Sequence, residues 1–110
     1  MVNVEKASSV AMEIITYAGM ARSNYLMALT AFKEKRYEDV EVLIAQGDEN
    51  FTLAHHAHAD TLNEEMSSCD PQITLLLTHA EDQLMAAETI KILVLENIDI
   101  YQELRGKNNE

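Results

Sequence analysis

An all-α fold follows from three observations. The chain of 110 residues holds only three glycines and one proline, too little turn punctuation for a sandwich or barrel of many short strands. Six methionines and a generous use of alanine suit helix–helix packing. Three breaker-poor stretches, each about 30 residues long, place apolar or small residues at alternating steps of three and four, the spacing of a helical seam. With 47% apolar residues the chain can bury a core, and its length matches one domain, taken as residues 1–110.

The first stretch covers residues 4–32. Its seam is Val4, Ala7, Ala11, Ile14, Ala18, Ala21, Tyr25, Ala28 and Phe32. Val10, Ile15, Leu26 and Leu29 widen it. Gly19 weakens helix propensity there and is expected to admit a close neighbouring helix. A polar link, Lys33-Glu34-Lys35-Arg36, follows.

The second stretch covers residues 37–66, with the seam Tyr37, Val40, Ile44, Gly47, Phe51, Ala54, His58 and Thr61. It also carries many Asp and Glu residues, read as a solvated acidic face. The link Ser67-Ser68-Cys69-Asp70-Pro71 leads into the third stretch. Asp70 is a good N-cap, and Pro71 fits the first helical position, where its missing N–H costs nothing. The third seam reads Ile73, Leu76, Ala80, Gln83, Ala87, Ile90, Val94, Asn97, Tyr101 and Leu104, and Gly106 is expected to end the helix. Links this short make neighbours antiparallel, giving an up-down-up bundle roughly 45 Å long. Apolar residues exceed one stripe per helix, as in Leu75-Leu76-Leu77, so self-association is expected.

A net charge of −11 argues against nucleic-acid binding, which needs clustered Lys and Arg, and against a bare anionic membrane surface. It favours a basic partner. The lone Cys69 allows no internal disulfide and has no basic residue beside it to activate a thiolate. The first residues carry no signal-peptide pattern, and no apolar run approaches a membrane span, so a cytoplasmic location without membrane insertion is expected. Phosphate-cradling glycine loops and Ser or Cys nucleophile motifs are missing from the sequence.

Chemistry concentrates on the third helix. His79, Asp82 and Gln83 stand at i, i+3 and i+4, one helix face, among Leu75, Leu76, Leu77, Leu84 and Met85. Spacing leaves two readings open. One is a core histidine hydrogen-bonded to Asp82 and contributing packing specificity. The other is a nucleophilic imidazole with one basic nitrogen near neutral pH and the other held by an acceptor. On the second helix, His55 and His58 at i, i+3 can share a metal only if His79 or carboxylates complete the ligand set. Otherwise they are surface histidines, as His56 is. Arg22-Ser23 is a possible anion contact.

The run Leu75-Leu76-Leu77-Thr78-His79-Ala80-Glu81-Asp82-Gln83-Leu84-Met85 resembles the signature Leu-Leu-x-His-Ala-Gln-Asp-His-Leu-Met. That signature belongs to the enzyme IIA components of the lactose/cellobiose/chitobiose branch of the bacterial sugar phosphotransferase system. Glu13-Ile14-Ile15-Thr16-Tyr17-Ala18-Gly19 with Ala21-Arg22-Ser23 looks like the family's first helix, and Ala54-His55 with Ala57 looks like its second-helix motif, Ala-His-x-x-Gln-Thr. The resemblance implies a three-helix up-down-up bundle assembling as a homotrimer. It implies that His79 accepts a phosphoryl group from the phosphocarrier HPr. The group then passes to a cysteine of the cognate IIB component, for uptake of a β-linked disaccharide through the IIC membrane permease. Gln83, Glu81, His55, His58 and Arg22 become supporting residues. Asp82 is placed on the trimer axis, where three copies hold a divalent cation, expected to be magnesium. Three carboxylates forced together repel unless a cation or proton neutralises them.

The sequence departs from the pattern where Gln83 replaces a histidine, Glu81 and His58 each replace a glutamine, Ala59 replaces a threonine, and Met20 stands where an acid is common. Glu81 adds like charge near a phosphohistidine, and His58 offers a positive partner. The alternative function is a regulatory or structural trimer of the same fold without phosphotransfer, binding a partner through its acidic face.

Overall fold

The computed structural model describes residues 4–67 and 75–108. Three helices account for all of them except residues 34–36: α1 (Val4–Lys33), α2 (Tyr37–Ser67) and α3 (Leu75–Asn108). The described residues contain no strand. The expected N-cap Asp70, Pro71, Ile73 and the lone Cys69 lie outside the described residues.

α1 is the hub. Its seam is buried as its spacing predicts: Ala11, Ile14, Ala21, Tyr25 and Ala28 have no exposed surface, and Ala18 and Phe32 are nearly as covered. Alanine at these steps lets other helices approach closely on two sides. Both α2 and α3 pack along α1, while they touch each other only sparsely. Asn24 accepts a hydrogen bond from Asn50 and Tyr25 donates one to Asp48, joining α1 to α2. Arg22 bonds Gln83, and Arg105 bonds the carbonyl of Phe32, joining α1 to α3.

The turn after α1 is a Schellman closure. Arg36 N–H donates to the Ala31 carbonyl at 2.8 Å and Lys35 N–H to that of Phe32 at 3.0 Å. Lys35 takes the left-handed conformation with φ 66°, a region that penalises a side chain with a Cβ. Lys35→Gly is therefore expected to stabilise the chain by about 1 kcal/mol, read as a higher urea midpoint at unchanged m-value.

α3 departs from the expected seam. Its buried residues are Leu77, Ala80, Leu84, Ala87, Val94 and Ile98, whereas Gln83 is only half-buried and Asn97 is exposed. Ala80, Ala87 and Val94 are buried as expected, but Leu77, Leu84 and Ile98 take the places of Leu76, Gln83 and Asn97, and the same spacing passes through Lys91 and Arg105. Both keep their stems against the bundle and pair their heads: Lys91 meets Asp48 at 2.7 Å, and Arg105 bonds the carbonyls of Phe32 and Lys33 and the Tyr37 hydroxyl. Gly106 does not stop the helix, which continues to Asn108 with no positive φ at the glycine. The bonds from Arg105 tie this last stretch to the end of α1. Among the described residues, a Cβ added at Gly19 would meet nothing within 4 Å, so within one chain this glycine admits no neighbouring helix; Gly47 is the close approach, where an added Cβ would run into the Tyr25 ring. Among the described residues, no helix is long and apolar enough to cross a membrane.

Candidate functional site

His79 is exposed near the start of the described part of α3. This overturns the core-histidine reading: among the described residues, the imidazole makes no hydrogen bond to Asp82, which is also exposed. Beneath them, Leu77, Ala80 and Leu84 anchor this part of α3 in the core, so the histidine stands on a rigid support. Leu75 and Met85 on the same helix are strongly exposed.

Two polar contacts hold this segment from opposite sides. Arg22 on α1 donates Nη1 to Oε1 of Gln83 at 3.1 Å. His58 on α2 places Nε2 2.9 Å from Oε1 of Glu81. Two of the departures from the family motifs, His58 and Glu81, are thus partners. Their side chains are 21% and 37% exposed, so solvent screens the pair and its worth is modest.

His55 is placed elsewhere. It is exposed and stacks on Phe51 with ring centroids 6.2 Å apart and planes 8° apart. His56 lines a shallow surface groove with Lys6, Glu13 and Asp60. No three His, Cys, Asp or Glu side chains gather to hold a metal ion among the described residues, so His55 and His58 build no metal site there.

One polar cluster escaped the sequence reading. Tyr25 donates to Asp48 at 2.7 Å, and Asp48 also meets Lys91, so three helices share one knot. Burial pushes the Tyr25 phenol well above its usual range, and the hydrogen bond to Asp48 and its negative charge add to the effect. Burial alone would raise the Asp48 carboxyl; hydrogen bonds from Lys91 and Tyr25 and the ammonium charge outweigh it and hold the group below its usual range. The available signal was Tyr25 on the α1 seam, a phenol whose hydroxyl needs a partner once its ring is buried.

Known proteins place the chain in one class, the components of a sugar phosphotransferase system. A family model described as "PTS system, Lactose/Cellobiose specific IIA subunit" matches residues 9–102, and the chain belongs to that family. It is similar to the lactose-specific EIIA component of Streptococcus mutans, with 35% identity over 91% of this chain and 96% of that one. It is also similar to the oligo-beta-mannoside-specific EIIA component of Bacillus subtilis, at 32% identity over 84% of each. Among solved structures, the cellobiose-specific enzyme IIA of Bacillus anthracis superposes with a TM-score of 0.86 at 31% identity, covering 97% of this chain and 95% of that one.

Proposed function

We propose that this chain is the phosphocarrier of its phosphotransferase system, with His79 as the phosphoryl acceptor. The observation that carries the reading is the placement of His79: an exposed imidazole on a helix anchored from below, open to two protein partners in turn. A neutral ring nitrogen attacks the phosphorus of phosphohistidine on HPr in line. One N–P bond forms, the donor's N–P bond breaks, and the donor imidazole keeps the electron pair. A thiolate of the IIB component then attacks the same phosphorus, so an S–P bond forms and the His79 N–P bond breaks. Each exchange joins activated partners, so positioning matters more than heavy catalytic machinery. Gln83, Glu81, Arg22 and His58 support this segment, and His55 lies further along α2. The sugars named by the relatives above support a β-linked disaccharide or related saccharide as cargo, delivered through the IIC permease, with the whole chain acting as one IIA domain in the cytoplasm. Incubation with phosphoenolpyruvate, enzyme I and HPr is expected to place acid-labile phosphate on the chain, and added cognate IIB to remove it. A chain that never labels sinks the reading.

An up-down-up homotrimer completes the proposal. The links 24–50 and 25–48 between α1 and α2, and 22–83 and 32–105 between α1 and α3, support that topology. Met12, Met20, Met85, Ile92, Leu93 and Ile100 are large apolar side chains left exposed on one chain, as surfaces covered by further copies are. Asp82 supplies one exposed hard oxygen donor with no partner among the described residues, and a threefold axis would bring three such carboxylates together. That donor set suits a divalent cation such as magnesium, which would neutralise the carboxylates' repulsion. A chelator is expected to lower the melting temperature of the wild-type trimer and to leave that of Asp82→Asn unchanged. Equal response of both proteins to the chelator would remove Asp82 from the metal site.

A further inference from the structure

We infer that Arg22 is the cation that receives the phosphoryl charge on His79, and that Gln83 holds it ready for that role. The inference rests on His79 being the acceptor. The sequence has 8 Lys and Arg against 19 Asp and Glu, so cations have carboxylates in abundance. Arg36 takes Glu34 and Asp39. Lys91 takes Asp48. Arg105 is spent on two backbone carbonyls and a tyrosine hydroxyl.

Arg22 differs from all three. It is half-buried, and among the described residues it pairs with no carboxylate; its hydrogen bond goes to the neutral amide of Gln83. A guanidinium has five N–H donors in a planar fork, and one is used. A cation partly withdrawn from water without an anion is incompletely compensated, which favours the arrival of one.

The position of Gln83 says where that anion would be. It lies four residues after His79, so the two share a helix face with Cβ atoms about 5–6 Å apart. The Arg22 guanidinium, 3.1 Å from the Gln83 amide, therefore meets α3 on the face that carries His79. A phosphoryl group brings up to two negative charges and three strong acceptor oxygens, which match an arginine fork. The neutral amide positions Arg22 without neutralising it, as Asp or Glu would. The neighbouring carboxylate of Glu81 is engaged by His58 on α2, away from Arg22.

The test uses the full chain charged by phosphoenolpyruvate, enzyme I and HPr. Arg22→Gln is expected to lower kcat for phosphoryl acceptance about 10-fold or more, with a smaller change in KM for phospho-HPr. In a phosphorus NMR titration of the phosphorylated protein, the same substitution is expected to raise the apparent phosphoryl pKa by about one unit, because a nearby cation favours the dianion. Arg22→Lys should recover most of the titration shift. Gln83→Ala keeps Arg22 but frees it, and should slow acceptance several-fold, which preserves the test if Arg22→Gln does not fold. Wild-type rate and titration in Arg22→Gln, or in Gln83→Ala where that is the protein that folds, overturn the inference while leaving His79 as acceptor. A wild-type chain that takes no phosphoryl group on His79 overturns the phosphocarrier reading itself.

Discussion

Replacing His79 with alanine is expected to abolish phosphoryl acceptance, a loss on the order of 10⁶-fold, which in practice means no label. No other histidine is placed to substitute. His58 is engaged by Glu81. His55 is stacked on Phe51, and His56 shares its groove with Lys6, Glu13 and Asp60, a lining with more negative than positive charge. Because His79 is exposed and unpaired among the described residues, its loss should change stability by no more than about 0.5 kcal/mol. The expected signature is therefore a protein with unchanged helical circular dichroism and melting that carries no acid-labile phosphate. A His79→Ala chain that labels like wild type would move the acceptor elsewhere.

The second large effect concerns the joint between α1 and α2. Gly47→Ala is expected to destabilise the chain by about 1–3 kcal/mol, although alanine is the better helix former by about 1 kcal/mol. The new Cβ would stand 2.5 Å from Cε1 and 2.8 Å from Cδ1 of Tyr25. That ring cannot yield cheaply. It is fully buried, its hydroxyl is fixed on Asp48, and Lys91 lies 5.8 Å from its centroid. Gly19→Ala is the internal control: nothing lies within 4 Å of the added carbon, so only the propensity gain remains and stability should rise. Urea midpoints that move in opposite directions for the two substitutions verify the packing; a shared direction refutes it.

Much of the fold was legible in residue spacing. The α1 seam from Ala11 to Phe32 is buried, and the link between α1 and α2 falls where Lys33-Glu34-Lys35-Arg36 places it, since nothing competes with helix formation on either side. On α3, Ala80, Ala87 and Val94 are buried as their spacing predicts, while Leu77, Leu84 and Ile98 replace Leu76, Gln83 and Asn97, because Lys91 and Arg105 share that inward side and a polarity pattern cannot distinguish a long cation that pairs at its tip from a solvated one. The two glycines could not be ranked either. Both interrupt a helix equally, and only the partner across the interface decides which one is required. At the site, spacing put His79, Asp82 and Gln83 on one face but left the exposure of that face undetermined, because it depends on how α3 is rotated against α1. The His58–Glu81 contact needed both helices in place before two separate departures could be seen as a pair.

The sparse contact between α2 and α3 bears on how such a chain can diverge. α1 packs against both neighbours, so an enlargement at a fully buried position such as Ala21 or Ala28 has no free surface to expand into. Between α2 and α3 few side chains constrain one another, and an exchange there needs a single matching change to be absorbed, as histidine opposite glutamate illustrates. Variation around His79 is thus cheap in the direction of α2 and expensive in the direction of α1, which lets its surroundings drift while its support stays fixed.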